Sequence, residues 1–88
     1  MPVKVEIFKS PTCPHCTPTI ELVKNVVEEL GKELGNVAEI DIIDVMKHPS
    51  KAMKYGIYAV PTVAINGKVQ FVGRPNRENL VEAIKREL

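Results

Sequence analysis

Hydrophobic positions alternate with polar ones in some stretches and recur every three to four residues in others. Residues 3–8 alternate before ending in an apolar pair, a pattern that predicts a first strand near the centre of a sheet. Residues 14–34 predict a long amphipathic helix. Its apolar face is formed by Ile20, Val23, Val26, Val27, Leu30 and Leu34. Pro18 is expected to kink this helix, and Gly35-Asn36 to end it.

The next stretch predicts a second strand over residues 37–43. A strand, a helix of about twenty residues and another strand form a βαβ unit, whose strands are parallel. Asp44 is expected to cap a shorter helix that runs through Pro49 to Tyr55, and Gly56 to end it.

The last third of the chain predicts a hairpin followed by a helix. Asn66-Gly67 lies between the apolar runs 63–65 and 69–72, which is a strong hairpin signal. After a turn at residues 73–75, Asn76 is expected to cap the final helix. The apolar face of that helix is formed by Leu80, Val81, Ile84 and Leu88.

The elements therefore follow the order β-α-β-α-β-β-α. The first two strands form a parallel pair and the last two an antiparallel hairpin, which together predict a four-stranded mixed sheet with helices on both faces. The fold class is α/β, in one domain over residues 1–88.

Composition and charge exclude several classes of function. The chain has 88 residues, 44% hydrophobic and 26% charged, which is typical of a globular domain. Its net charge is +1 and its charges are scattered along the sequence, which argues against a nucleic-acid or anionic-membrane surface. No apolar run approaches the roughly 18 residues of a membrane span, and the start has no signal-peptide pattern. We therefore expect a cytoplasmic protein.

Both cysteines lie in Thr12-Cys13-Pro14-His15-Cys16, where the first strand gives way to the helix. In a cytoplasmic chain this spacing indicates redox chemistry or metal binding. Free N–H groups and the positive end of the helix dipole favour a thiolate at a helix start. Pro14 suits the first helical position, and a protonated His15 would favour the Cys13 thiolate further.

The chain resembles the thioredoxin/glutaredoxin superfamily over nearly its whole length. The resemblance rests on Cys13-Pro14-His15-Cys16 after the first strand and on Val60-Pro61-Thr62 at the start of the hairpin. It implies a thioredoxin fold and a protein-disulfide oxidoreductase. Thr12 stands where thioredoxins carry Trp, and Ile7 where they carry a buried Asp.

The resemblance also implies roles for matching residues. Cys13 is expected to attack as a thiolate and Cys16 to resolve the mixed disulfide. Pro61 matches the family's cis-proline, which would leave Val60 free to pair with a substrate strand alongside Thr62. The implied partners are disulfide-containing proteins and an electron-donating reductase or low-molecular-weight thiol. We expect no cofactor beyond the cysteine pair, no metal, and a monomer.

A second interpretation uses the same cysteines for metal. Thr12-Cys13-Pro14-His15-Cys16 also resembles the loop of ferredoxin-like copper chaperones, and two thiolates suit Cu(I). Those chaperones have a βαββαβ order, whereas this chain places helical signals before Val60. A structural zinc site would need four ligands, and the sequence has no second cysteine pair. A redox-inert interaction module of the same fold would usually have lost a cysteine.

Overall fold

Within residues 2–35 and 38–88, seven elements form a four-stranded mixed sheet covered by three helices. The computed structural model describes residues 2–35 and 38–88. The elements are β1 (Val3–Lys9), α1 (Cys16–Leu34), β2 (Ala38–Asp44), α2 (Pro49–Lys54), β3 (Thr62–Ile65), β4 (Lys68–Val72) and α3 (Arg77–Arg86). The predicted element order is confirmed. Two residues of the predicted elements lie outside the described residues. They are Asn36, in the predicted end of the first helix, and Val37, the predicted start of the second strand.

The strand β1 lies inside the sheet, whose order is β2-β1-β3-β4. It pairs with β2 in parallel, with Ile7 opposite Ile42, and with β3 in antiparallel, with Phe8 opposite Thr62. β3 and β4 form the predicted hairpin, in which Asn66 and Gly67 have φ of 51° and 84°. Positive φ at both positions matches the turn that Asn-Gly favours.

The two faces of β1 belong to different apolar clusters. Val3, Val5 and Ile7 pack with α1 and α3 in the larger cluster. Phe8 joins Ile43 and Ala64 in a smaller cluster beside α2, where its ring lies 5.2 Å from that of Tyr55. Helices therefore cover both faces, as predicted.

The start of α1 differs from the prediction. Pro14 and His15 lie in a turn, and the helix begins at Cys16. Pro14 is therefore not the first helical residue. Pro18 becomes the third residue of the helix, where its missing N–H would have had no partner inside the helix, so the physical reason for a kink disappears. The helix runs as one segment to Leu34.

Helix ends account for the other differences. Asp44 is the last residue of β2, and its carboxylate accepts the Met46 N–H at 2.9 Å instead of capping α2. Leu34, the last residue of α1, and Leu88, two residues beyond the end of α3, are both exposed. Asn76 caps α3 as predicted, since its side chain accepts the Asn79 N–H at 2.8 Å.

The strand β1 also buries a carboxylate that its alternating pattern would have left in solvent. The Glu6 side chain is 2% exposed and faces α2. Its carboxylate accepts a hydrogen bond from the Tyr55 hydroxyl at 2.7 Å and forms an ion pair with the Lys51 ammonium at 2.8 Å. These contacts hold the middle of α2 and the residue after it on the sheet.

The cluster changes how these side chains titrate. Burial alone would raise the pKa of Glu6, but hydrogen bonds from Lys51 and Tyr55, with the charges of Lys51 and Lys4, bring it below its usual value. The hydrogen bond to Glu6 raises the pKa of Lys51, and the same bond, aided by burial, raises that of Tyr55. A lowered carboxyl pKa stabilises the fold above the pKa of the unfolded chain, and this stabilisation is lost as the pH falls through the folded value.

We expect Glu6→Gln to lower the free energy of unfolding by about 1–3 kcal/mol at neutral pH, because Lys51 loses its charge partner beside a buried site. The difference from the wild-type protein should shrink as the pH falls through the lowered pKa of Glu6, where its carboxylate becomes protonated. Urea unfolding at several pH values measures both effects. The control is Glu39→Gln on the exposed side of β2, which should cost less than about 0.5 kcal/mol. Equal losses of unfolding free energy in both variants would show that the contacts of Glu6 stabilise the fold no more than an exposed glutamate does.

Candidate functional site

Several loops meet at the end of the sheet where β1 stops. The cysteine loop, residues 10–15, follows Lys9 directly. Pro61 precedes Thr62, which pairs with Phe8, so the start of β3 lies at the same end. The Val45 N–H donates to the Lys9 carbonyl at 2.9 Å, and the Gly73 N–H donates to the Pro61 carbonyl at 2.7 Å. We call this end of the molecule, residues 9–15, 44–48, 57–61 and 73–76, the dithiol edge.

The two cysteines form a disulfide across this loop. Cys13 and Cys16 are bonded through sulfur, with their Cα atoms 5.4 Å apart. Cys16 is 3% exposed, whereas Cys13 is partly exposed. This difference follows from their places, because Cys16 begins the helix that packs on the sheet and Cys13 lies in the turn before it. An outside sulfur can therefore reach Cys13 more easily than Cys16.

The start of α1 is open to a negative charge. Cys16 and Thr17 are the first two residues of α1, so their N–H groups have no acceptor within the helix, and the first turn contains no acidic residue. The His15 carbonyl is occupied, since it accepts both the N–H and the hydroxyl of Thr19, at 3.3 and 2.9 Å. Free donors and the helix dipole both favour a thiolate here once the disulfide is reduced. The exposed His15 lies between the two cysteines in the same turn.

The segment Val60-Pro61-Thr62 forms the neighbouring part of the edge. The Val60–Pro61 peptide bond is cis. Thr62 is buried, and its hydroxyl donates to the Ala59 carbonyl at 2.7 Å, which fixes the turn before β3. In the described residues, neither the N–H nor the carbonyl of Val60 forms a hydrogen bond. Both groups can therefore pair with another backbone.

The structure adds a pocket that the sequence did not indicate. It has a volume of about 200 Å³ and is lined by Val45, Ile57, Tyr58, Ala59 and Val60. The lining comes from two places in the sequence, Val45 and residues 57–60. They lie together only because β2 and β3 flank β1. A run of apolar residues just before Pro61 was the one available signal.

Among the described residues, the buried acid lies at a different place from the one that the resemblance implies. Ile7 occupies the position expected from the resemblance, and its partner across the β1–β2 pair is Ile42, so this site is apolar. The buried carboxylate is Glu6, the preceding residue, on the opposite face of β1. A polar residue among apolar neighbours was the only sequence signal, and it does not distinguish a buried carboxylate from an exposed one.

The metal interpretation finds no support in the structure. Among residues 2–35 and 38–88, no group of three or more His, Cys, Asp or Glu side chains is placed to hold a metal ion. The helix α2 lies between β2 and β3, so the element order is not the βαββαβ of the copper chaperones. In the same residues, no helix combines the length and apolar character that crossing a membrane requires.

Comparisons with known proteins agree with this site. Residues 1–85 match a family model described as a thioredoxin domain. A thioredoxin from Methanocaldococcus jannaschii is 54% identical over 86 residues, which cover 98% of this chain and 96% of the relative. A probable thioredoxin from Methanothermobacter marburgensis is 51% identical over 88 residues, which cover 100% of this chain and 99% of the relative.

A solved structure gives the same result. The crystal structure of a protein disulfide oxidoreductase from Aeropyrum pernix superimposes with a TM-score of 0.84 at 32% identity. The match covers 96% of this chain and 36% of that protein, so the chain spans about a third of its length. The chain belongs to the thioredoxin family of thiol–disulfide oxidoreductases.

Proposed function

We propose that this protein reduces disulfides in protein substrates, with Cys13 as the attacking thiolate and Cys16 as the resolving thiol. The observation that carries the assignment is the difference in exposure within one disulfide, since Cys16 is 3% exposed and Cys13 is partly exposed. Attack on an external sulfur needs the accessible thiol, whereas resolution takes place inside the protein and suits the buried one.

The reaction proceeds in two exchanges. The Cys13 thiolate attacks one substrate sulfur, a mixed disulfide forms, and the other substrate sulfur leaves as a thiolate. Cys16 then loses its proton and attacks the Cys13 sulfur, which closes the protein disulfide and releases the second substrate thiolate. The two substrate thiolates take up protons, so two electrons and two protons pass to the substrate. The cysteine pair carries these electrons itself, with no further cofactor.

The Val60-Pro61-Thr62 segment holds the substrate in this proposal. The free N–H and carbonyl of Val60 pair with an extended substrate segment, which is a form of β-augmentation. Pro61 and Thr62 fix that backbone, through the Gly73 N–H and the Ala59 carbonyl respectively. Main-chain pairing accepts many sequences, which suits an enzyme that acts on different proteins.

An electron donor must restore the dithiol after each cycle. The proposal places the protein in the cytoplasm as a monomer, where a flavoprotein reductase or a low-molecular-weight thiol reduces the Cys13–Cys16 disulfide and the protein contributes to cell redox homeostasis. An insulin-reduction assay run in parallel with dithiothreitol, glutathione and a thioredoxin-reductase-type flavoenzyme identifies the donor class. The protein should accelerate insulin reduction by dithiothreitol, and failure to do so would contradict the proposed activity.

Replacing one cysteine at a time tests the assignment of roles. Cys16→Ser should accumulate a mixed disulfide between Cys13 and a substrate, because no thiol remains to resolve it. Cys13→Ser should accumulate little, because Cys16 is buried. Mass spectrometry of both variants after incubation with an oxidised substrate measures the adducts. Equal trapping through Cys16 would show that the roles are assigned wrongly.

His15→Ala tests whether the side chain between the cysteines stabilises the thiolate. Groups that favour the thiolate stabilise the reduced protein and make it a stronger oxidant. We expect the loss of His15 to remove about 1–2 kcal/mol of this stabilisation. For a two-electron couple this lowers the potential by roughly 20–45 mV. Redox titration in a dithiothreitol buffer measures the shift, and an unchanged or less negative potential would exclude the role. His48→Ala, on the same edge but outside the cysteine loop, is the control.

A further inference from the structure

Basic residues that are scattered along the sequence lie in three different segments of the dithiol edge. Lys9 ends β1, Lys47 lies in the turn after β2, and Arg74 lies between β4 and α3. Arg74 and Lys47 are exposed, and Lys9 is partly exposed. The ion pairs within residues 2–35 and 38–88 are Lys51–Glu6 and Arg77–Glu29, so none of these three cations is neutralised by a carboxylate.

Acidic side chains are nearly absent from the same edge. The chain has 11 acidic residues, and within the described loops of the edge the one carboxylate is that of Asp44. Its side chain accepts the Met46 N–H, so it points into its own turn. Glu78 lies next to the edge, in the first turn of α3. Many of the other carboxylates lie further along the elements, including Glu28, Glu29 and Glu33 in the distal half of α1 and Glu39 near the opposite end of β2. A molecule whose net charge is only +1 therefore presents a positive end around its disulfide.

Exposed apolar side chains accompany these cations. Tyr58 is 86% exposed and lines the 200 Å³ pocket beside Val60. Met46 is 72% exposed and follows Val45, another residue of that pocket. The pocket therefore continues the surface on which the proposed substrate backbone would pair, because Val60 belongs to both.

We propose that the dithiol edge selects protein substrates whose disulfide lies in an extended segment with acidic residues beside it. This inference rests on the proposed disulfide-reductase activity and adds the class of substrate. Acidic side chains near the substrate disulfide meet Lys9, Lys47 and Arg74, while an apolar neighbour enters the pocket beside Val60. Complementary charge raises the rate of encounter more than it raises the stability of the complex, and salt screens it.

The test compares two disulfide-containing peptides of identical sequence except for the residues that flank the disulfide, Asp in one and Lys in the other. Second-order rate constants for their reduction by the reduced protein are measured at about 20 mM and about 500 mM ionic strength. The acidic peptide should react about tenfold faster at low salt. The ratio of the two rates should fall towards one at high salt.

Charge-reversal variants test which basic residues cause the faster reduction of the acidic peptide. In the double variant Lys47→Glu/Arg74→Glu, the rate constant for the acidic peptide divided by that for the basic peptide should fall by at least about tenfold. Using the ratio removes any change in the intrinsic reactivity of Cys13. The matched control is Lys32→Glu/Lys68→Glu, which changes the net charge equally at exposed positions outside the edge and should keep most of the preference.

The outcomes separate the two proposals. If dithiothreitol reduces both peptides and the protein reduces neither, the proposed activity itself is wrong. If the protein reduces both peptides with a ratio below about threefold at low salt, or if the control pair lowers the ratio as much as the edge pair, the activity stands and the acidic-substrate inference is overturned.

Discussion

The hydrogen bonding of β1 along both of its edges is the constraint on which the rest of the structure depends. Because β2 and β3 flank this strand, the loop that follows Lys9 projects from the middle of the sheet instead of from its side. That position brings Val45 and Pro61 beside the cysteine loop although they are distant in sequence. The site is therefore a consequence of strand order, and its chemistry is added by the residues that each loop carries.

The same burial of β1 explains why Glu6 needs partners. Lys4, two residues earlier on the same face of β1, is exposed, but Glu6 lies under α2 and is buried, so its carboxylate must be compensated. Lys51 and Tyr55 supply that compensation from α2 and the residue after it, and they fix this short helix, which has one buried residue of its own, Ala52. Tyr55 also leads into the loop that ends at Pro61. The Glu6 cluster is therefore a structural anchor on the opposite side of β1 from Ile7.

Patterns within single elements were sufficient to predict the fold. They did not predict which side chains from different elements come into contact. Helical spacing, the Asn66-Gly67 turn and the Asn76 cap are local features, and each was read correctly from a few neighbouring residues. The start of α1 was misplaced by two residues because Pro14 suits either a turn or a first helical turn. The burial of Glu6 was missed because alternation within β1 says nothing about whether α2 covers the second face. The placement of Lys9, Lys47 and Arg74 at one end of the sheet was not predicted for the same reason, since strand order decides which loops share that end.

One electrostatic arrangement can serve two steps of the same reaction. The free N–H groups of Cys16 and Thr17 act at short range and favour the thiolate that attacks. Lys47 and Arg74 are exposed to solvent, where charges interact weakly once separated by about a Debye length, so their effect on the thiolate is smaller than their effect on an approaching partner. The backbone donors at the start of α1 and the exposed cations of the edge therefore have different roles. The former set the reactivity of Cys13, and the latter set which disulfides reach it.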